Sequence, residues 1–297
     1  MHSDVGFHGV YVPLITPFDV DGSVDAAAVD ALCRTYLDAG VTGIVALGTT
    51  GEASALTASE KQLVIDTCSR VCVERGVQLV VGAGSNATAA SVEAAGALEG
   101  TPGLSAILSV VPYYVRPSEA GIVRHFQTIA DAAPAPLILY NIGVRTGRHL
   151  SAAGVLEAAQ HPNIAGIKQA APLDQDTLAL LAGAPNGFSV LGGEDAYLFP
   201  LVLMGGQGAI SASAHVCTRR FVEMIECGLA GKLEDGRAHA EALLPVVHAC
   251  YAEPNPAVFK AALHAQGLIK TPDVRLPLTN ASAGARDAAL AAIAAAS

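Results

Sequence analysis

The chain has 297 residues, of which 52% are hydrophobic and 15% charged, and its formal net charge is −10 at pH 7. This balance excludes a disordered chain, which has too few apolar side chains to form a core, and the scattered Lys and Arg residues argue against nucleic-acid binding. The length suits one large domain, such as a (β/α)8 barrel.

No targeting segment, membrane span or metal site is expected. The start, Met1-His2-Ser3-Asp4, has no basic stretch followed by an apolar one, and no run of about 18 apolar residues occurs, so we expect a cytoplasmic protein. The six cysteines form no CxxC pair and the histidines form no HxH or HExxH pattern. We therefore expect reduced, buried thiols and no metal ion.

Short apolar runs alternate with longer helical stretches along the first 215 residues. Eight runs predict strands: Val10 to Ile15, Gly43 to Leu47, Gln78 to Val81, Ala106 to Val110, Leu137 to Tyr140, Ala165 to Ile167, Phe188 to Leu191 and Gly208 to Ile210. Strands that are apolar throughout are buried on both faces, and strand-helix alternation implies parallel crossovers. The pattern predicts an α/β fold, the (β/α)8 TIM barrel.

Capping residues and helical periodicity predict the intervening helices. The clearest are Asp25 to Ala39, Thr57 to Glu74, Ser118 to Ala132, Ser151 to Ala159 and Asp174 to Ala182. About three further helical segments and an Ala-rich end follow the eighth strand. We predict a single domain, residues 1–297, with a barrel core over 9–215 and a C-terminal helical appendage over 216–297.

A lysine ends the sixth predicted strand, after Ile164-Ala165-Gly166-Ile167. In a barrel, catalytic groups gather at the carboxyl ends of the strands, where burial lowers the pKa of an amine and frees it as a nucleophile. Lys168 is therefore a candidate for an imine (Schiff base) with a keto acid such as pyruvate. A snorkelling or ion-paired lysine is the alternative.

Other strand ends carry groups that imine chemistry needs. Thr49 and Thr50, between glycines, form a plausible cradle for a carboxylate, and tyrosines after strands four and five (Tyr114 and Tyr140) can move protons. Arg145 can clamp a second carboxylate. Taken singly, these residues also fit a capped turn, packing residues and a surface ion pair, and Asn255 of Glu253-Pro254-Asn255-Pro256 fits a cap of the next helix.

A competing signal is the loop that begins Gly82-Ala83-Gly84 and continues to Ala87, which fits the dinucleotide pattern G-x-G-x-x-A. No acidic residue ends the following strand, where ribose recognition needs one. A nucleotide-dependent oxidoreductase is therefore disfavoured.

Together these residues resemble the dihydrodipicolinate synthase / N-acetylneuraminate lyase family, from about Gly9 to Pro277. The resemblance rests on Thr16-Pro17-Phe18, Gly48-Thr49-Thr50-Gly51-Glu52, Asn86-Ala87-Thr88, Pro112-Tyr113-Tyr114, Arg116-Pro117-Ser118, Tyr140-Asn141, Arg145-Thr146-Gly147, Gly166-Ile167-Lys168 and Glu253-Pro254-Asn255-Pro256. It implies a lyase without a cofactor in which Lys168 binds pyruvate. In the synthase branch the second substrate is L-aspartate 4-semialdehyde, and the product, 4-hydroxy-tetrahydrodipicolinate, leads to lysine and diaminopimelate.

The resemblance also implies roles for individual residues. Tyr140 is the proton shuttle, Thr49 and Tyr114 complete a hydroxyl relay, and Thr50 holds the pyruvate carboxylate. Arg145 binds the carboxylate of the second substrate, while Gly193 and Ile210 line the pocket. Tyr114 is implied to cross a subunit interface of a homotetramer, a dimer of dimers.

Two departures leave the second substrate open. Gly143 stands where the synthase pattern has proline, which predicts a looser loop around Arg145, and Gln169 stands where a glutamate follows the lysine, which predicts an altered amine pKa. Another pyruvate aldolase or keto-acid dehydratase acting on a sugar acid is therefore the alternative, and a non-catalytic keto-acid binding barrel is a second one.

The positions of the family's lysine feedback site also differ here. Where the family has histidines and an acid, this chain has Ala58, Lys61 and Ala90, although Tyr113 and Asn86 remain. We predict weak or absent inhibition by L-lysine.

Overall fold

A computed structural model describes residues 6–297. Its centre is a closed barrel of eight parallel strands, in which each strand pairs with the next along the chain and the last pairs with the first. The strands are β1 (Gly9–Pro13), β2 (Gly43–Ala46), β3 (Gln78–Gly82), β4 (Leu104–Val110), β5 (Leu137–Asn141), β6 (Ile164–Gln169), β7 (Ser189–Gly192) and β8 (Gly208–Ile210). The predicted (β/α)8 barrel is confirmed.

Helices follow the strands and cover the outside of the barrel. They are α1 (Ala26–Asp38), α2 (Ala58–Arg75), α3 (Thr88–Gly96), α4 (Glu119–Ala132), α5 (Gly143–Thr146), α6 (Ala152–Ala158), α7 (Gln175–Gly183), α8 (Leu198–Leu203), α9 (Thr218–Leu229), α10 (Leu233–Cys250), α11 (Ala257–Ala265) and α12 (Ala283–Ala296). Of the last four, α9 follows β8 and packs against β1 and β8 as the eighth helix of the barrel, and α10 to α12 form the C-terminal helical appendage. No helix within residues 6–297 is long and apolar enough to span a membrane.

The five clearest predicted helices begin where their polar caps indicated. In each, a cap side chain accepts a hydrogen bond from a backbone N–H of the first turn, and Thr57 and Glu60 form a reciprocal capping box. Gly76 ends α2 in the left-handed conformation, with a φ of 65°. Local sequence thus determines these helix ends.

Alternation along the strands divides the apolar side chains between two layers. On β5, Ile138 and Tyr140 point into the barrel interior, where they pack with Ile210, whereas Leu137 and Leu139 belong to the layer between strands and helices. Both layers are built from buried apolar side chains, which explains why the strands are apolar throughout. The same alternation makes neighbouring residues at a strand end face opposite sides.

The six cysteines are free thiols, as predicted. Cys33 Sγ lies 3.8 Å from Cys68 Sγ, far beyond the length of a disulfide bond. Burial raises the pKa of the Cys72 and Cys250 thiols to about 12, which keeps them protonated and unreactive. Cys217 and Cys227 are half-buried rather than buried.

Candidate active site

Lys168 and Tyr140 lie side by side at the carboxyl ends of β6 and β5. The two residues are direct partners in the strand register, and Lys168 Nζ lies 4.5 Å from the centroid of the Tyr140 ring. Lys168 is 7% exposed and Tyr140 6% exposed. A buried amine beside a phenol places a nucleophile next to a group that can donate and accept a proton.

Gly193, just after β7, leaves room for the lysine side chain. A Cβ at this position would lie 2.7 Å from Cε and 2.8 Å from Cγ of Lys168, which is closer than carbon atoms approach. Ile210 at the end of β8 is fully buried in the same interior cluster as Tyr140. Two residues predicted to line the pocket are thus gathered at the strand ends with Lys168 and Tyr140.

The predicted carboxylate cradle is a short 3₁₀ turn, Thr49–Gly51, that follows β2. Thr49 is exposed and lines a cavity of about 810 Å³ that Tyr140 also lines. Thr50 is buried, and its Oγ1 accepts a hydrogen bond of 3.0 Å from Asn255 Nδ2. Thr16 Oγ1 donates to the Gly51 carbonyl at 2.7 Å, so the middle and the last residue of the turn are both held.

Asn255 is a residue that sequence reasoning placed incorrectly. The helix after it, α11, has Pro256 at its cap position and no side-chain cap, so the interpretation of Asn255 as a helix cap is wrong. Its amide instead reaches Thr50, 205 positions earlier in the chain. No local pattern could reveal a contact between residues so far apart.

Tyr114 and Arg145 do not join the other predicted residues within the chain. Tyr114 is 88% exposed at a φ of 70°, and Arg145 is exposed on α5. Within the described residues, no hydrogen bond connects the hydroxyls of Thr49, Tyr140 and Tyr114, and Arg145 forms no ion pair. The described part of one chain therefore contains an incomplete hydroxyl relay.

Gln169 faces the outside of the barrel, away from Lys168. Its Oε1 accepts a hydrogen bond from Asn141 Nδ2 at 3.0 Å, and its Nε2 donates to Thr177 Oγ1 at 3.1 Å. Because neighbouring residues of a strand face opposite sides, the position cannot place its side chain against the amine. The departure at Gln169 therefore affects the strand-helix layer rather than the lysine directly.

Gly143, which stands where the synthase pattern has proline, begins the short helix α5. Backbone hydrogen bonds form this helical turn in the absence of the proline. The N–H groups of Arg145 and Thr146 both donate to the Ile142 carbonyl at 3.1 Å, and the Gly147 N–H donates to the Gly143 carbonyl at 2.9 Å. These backbone bonds close the turn, and the looser loop around Arg145 stays a prediction.

Asp195 is a buried acid near the lysine that the sequence patterns above did not single out. Its Oδ2 accepts hydrogen bonds from the Ser213 N–H at 2.8 Å and the Tyr251 hydroxyl at 3.3 Å, while its Oδ1 has no partner among the described residues. Burial raises the pKa of Asp195, and hydrogen bonding to Ser213 and, to a smaller extent, the charge of Lys168 partly offset that rise. The available signal was an acid three residues after the strand-end Gly192.

The glycines of the dinucleotide-like pattern have a packing role. A Cβ at Gly82 would lie 2.2 Å from the Leu47 carbonyl oxygen, and one at Gly84 would lie 2.6 Å from the Val110 backbone nitrogen. Close approach of adjacent strands therefore accounts for both glycines. No group of three or more potential metal ligands occurs between residues 6 and 297.

The closed barrel with Lys168 and Tyr140 at its carboxyl mouth defines a (β/α)8-barrel lyase of the class I aldolase type. The model of the Dihydrodipicolinate synthetase family matches residues 6–296. The chain belongs to this family.

Individual relatives cover nearly the whole chain. The 4-hydroxy-tetrahydrodipicolinate synthase of Salinibacter ruber is 39% identical over 94% of this chain and 92% of its own length. A crystal structure of the dihydrodipicolinate synthase of Acinetobacter baumannii complexed with pyruvate has a TM-score of 0.93 at 34% identity, covering 97% of this chain and 98% of that one. The structure of the enzyme from Cyanidioschyzon merolae with lysine bound has a TM-score of 0.92 at 33% identity and covers 98% of both chains.

Proposed function

We propose that this chain condenses pyruvate with L-aspartate 4-semialdehyde to form 4-hydroxy-tetrahydrodipicolinate, a step toward lysine and diaminopimelate. The observation that carries the proposal is the buried Lys168 amine, 4.5 Å from the Tyr140 ring at the barrel mouth. Relatives that carry the name of this synthase over nearly the full chain support it.

The reaction follows from imine chemistry at Lys168. The amine attacks the keto carbon of pyruvate, a C–N bond forms, and the keto oxygen leaves as water. The protonated imine then withdraws electrons, so the pyruvate methyl group loses a proton and becomes an enamine that attacks the aldehyde carbon. Finally, the amino group of the second substrate attacks the imine carbon, which closes the ring and releases Lys168. The protonated imine accepts the electron pair of the broken C–H bond, so the reaction needs no cofactor to stabilise a carbanion.

The remaining residues are assigned to steps by their positions. We assign proton transfer to Tyr140 and Thr49, which line one cavity, and the pyruvate carboxylate to Thr50 and the backbone N–H groups of its turn. Arg145 is assigned to the carboxylate of the second substrate, because its exposed guanidinium has no ion-pair partner among residues 6–297. Gly193 and Ile210 shape the pocket around the lysine.

The assembly is proposed from Tyr114. An 88% exposed tyrosine in a left-handed conformation is costly in a free monomer, and it fits insertion of Tyr114 into the site of a partner subunit of a homotetramer. Sedimentation should give a tetramer, and Tyr114→Phe should lower kcat while the tetramer persists. A monomer with full activity would contradict this assembly. We also propose that the enzyme acts in the cytoplasm.

Borohydride reduction in the presence of pyruvate tests the central step. Reduction should fix a pyruvate-derived mass on the peptide that contains Lys168, and Lys168→Arg should abolish both this mass and turnover. An adduct on another lysine would contradict the proposed nucleophile. Turnover with aspartate semialdehyde, compared in parallel with sugar-acid aldehydes, identifies the second substrate, and an adduct without turnover would indicate a binding protein.

A further inference from the structure

A buried ion pair joins the cradle loop to the C-terminal helices. Lys260 Nζ on α11 lies 2.6 Å from Oε1 of Glu52, and the two side chains are 0% and 1% exposed. The amine also donates to the Asp273 carbonyl at 2.8 Å and lies 3.9 Å from the centroid of the Phe18 ring. The imine reaction described above makes no use of this pair.

Stability is a weak explanation for such a pair. Removing two charges from water costs several kcal/mol, and replacing a buried ion pair by well-packed uncharged residues is often neutral or stabilising. The position of Glu52 is more informative. It directly follows the Thr49–Gly51 turn and has a φ of 53°, a conformation that costs a non-glycine residue roughly 1–2 kcal/mol and persists only where its surroundings enforce it.

The C-terminal segment, residues 257–275, binds the other carboxylate oxygen of Glu52 as well. The Arg275 N–H donates to Glu52 Oε2 at 2.8 Å, and the Arg275 guanidinium donates to the Ala55 carbonyl at 2.9 Å and to Glu60 at 2.8 Å. Both carboxylate oxygens of Glu52 are thus fixed by residues more than 200 positions later in the chain. The side chain of the residue that ends the cradle turn is therefore held from the C-terminal segment, while its backbone N–H donates to the Thr49 carbonyl at 3.1 Å.

We propose that Lys260 is a positioning residue for the substrate carboxylate: by fixing Glu52, it holds the Thr49–Gly51 turn in the geometry that binds the keto acid. The inference rests on the proposed function, since the carboxylate concerned is that of pyruvate. Lys260 acts through Glu52 and does not touch the substrate. Loosening the turn should therefore weaken pyruvate binding more than it affects the second substrate.

The test uses the full-length double variant Glu52→Gln with Lys260→Met, which removes both charges while keeping side chains of similar length. Lys260→Met alone would leave Glu52 buried without its partner and is expected to unfold. In the double variant we expect the KM for pyruvate to rise about tenfold or more. The KM for the aldehyde should stay within about twofold of the wild-type value, because the carboxylate of the second substrate is assigned to Arg145 and not to the turn.

Lys270→Met is the matched control, because Lys270 lies on the same segment but is half exposed and pairs with Asp19 and Asp25. It should leave every kinetic constant unchanged. Thermal unfolding checks that each variant is folded. A folded double variant with the wild-type KM for pyruvate would overturn the proposal. Absence of turnover and of a pyruvate adduct in the wild-type enzyme would instead refute the proposed function.

If the double variant does not fold, the pH dependence of the KM for pyruvate in the wild-type enzyme tests whether charged Lys260 positions the turn. Burial lowers the pKa of Lys260 to about 8, opposed by Glu52 and Asp273 and reinforced by Arg275, the charged groups that face it. The KM for pyruvate should therefore rise above about pH 8, and Lys260→Arg, which stays charged, should not show this rise. A KM that is flat from pH 7 to about pH 9 in the wild type would count against the proposal.

Discussion

Gly193 has no side chain, and this leaves the space that the Lys168 side chain occupies. Because a Cβ there would lie 2.7 Å from Lys168 Cε, Gly193→Ala should push the amine out of place. We expect the rate of pyruvate trapping to fall by about 100-fold, since a displacement of about 1 Å is enough for such a loss. Borohydride trapping followed by mass spectrometry measures it.

Gly96→Ala is the control for this substitution. Gly96 lies at the end of α3, and a Cβ there would meet no atom within 4 Å. It should leave trapping unchanged and slightly raise the stability, because alanine favours the helix more than glycine does. Normal trapping by folded Gly193→Ala would show that Lys168 can move aside without penalty.

Gln169 belongs to the structural side of its strand. Gln169→Glu places a carboxylate where a buried amide now bonds Asn141 and Thr177, so we expect the free energy of unfolding to fall by about 2 kcal/mol. The pH profile of kcat/KM should stay as in the wild type, because the side chain does not face Lys168. Urea unfolding and rate profiles measure these effects, with exposed Gln160→Glu as control. A shifted profile with unchanged stability would show direct action on the amine.

At the scale of elements, His215 ties the segment after β1 to the turn after β8. Its Nε2 accepts the Ile15 N–H at 3.1 Å and its Nδ1 donates to the Ala212 carbonyl at 2.7 Å, so the buried ring must be neutral. Burial lowers the pKa of His215 to about 4. The imidazole that connects the segments after the first and last strands of the barrel can therefore be protonated at low pH.

Stability should therefore fall as the pH drops from about 6.5 toward 4. The folded-state pKa lies below the unfolded value, so the unfolded chain binds the proton first, and the contribution is complete above pH 6.5 and lost as the pH approaches 4. The loss is about 3 kcal/mol for this residue.

Chemical unfolding at several pH values checks this expectation. His215→Gln should reduce the slope, whereas His8→Gln at an exposed site should retain it. Burial also lowers the pKa of His125 to about 4, so His125 adds its own contribution to the loss of stability in acid. Equal slopes in the wild type and His215→Gln would contradict the assignment.

At the scale of the whole molecule, one cavity runs from the barrel mouth to the groove between α2 and α3. Thr49 and Tyr140 line one part of it, and Ala58, Lys61 and Ala90 line another. The cation of Lys61 repels the ammonium groups of L-lysine, and the two alanines offer no polar partner. We therefore expect initial rates to be unchanged by submillimolar L-lysine.

Restoring the feedback residues gives the converse experiment. The variant Ala58→His, Lys61→His and Ala90→Glu should gain inhibition if these positions alone are responsible. Inhibition of the wild-type enzyme at submillimolar L-lysine would refute the expectation.

The prediction that residues 1–297 form a single domain stays a prediction.

Sequence alone determined the barrel, the helix starts and the reactive strand ends. These depend on local properties: apolar runs for buried strands, hydroxyl and carboxylate caps for helices, and the rule that the carboxyl ends of barrel strands share one face. Lys168 and Tyr140 were found in this way, whereas Gly193 was implied by the family resemblance, and the structure brings all three to that face.

Only the tertiary structure decided what holds these groups and which way their neighbours point. The contacts of Asn255 with Thr50 and of Lys260 with Glu52 each join residues more than 200 positions apart, and Gln169 turns outward because of the register of β6. Such contacts come from the closure of the barrel and the packing of the C-terminal helices against it. Local sequence patterns do not encode which distant residues will meet.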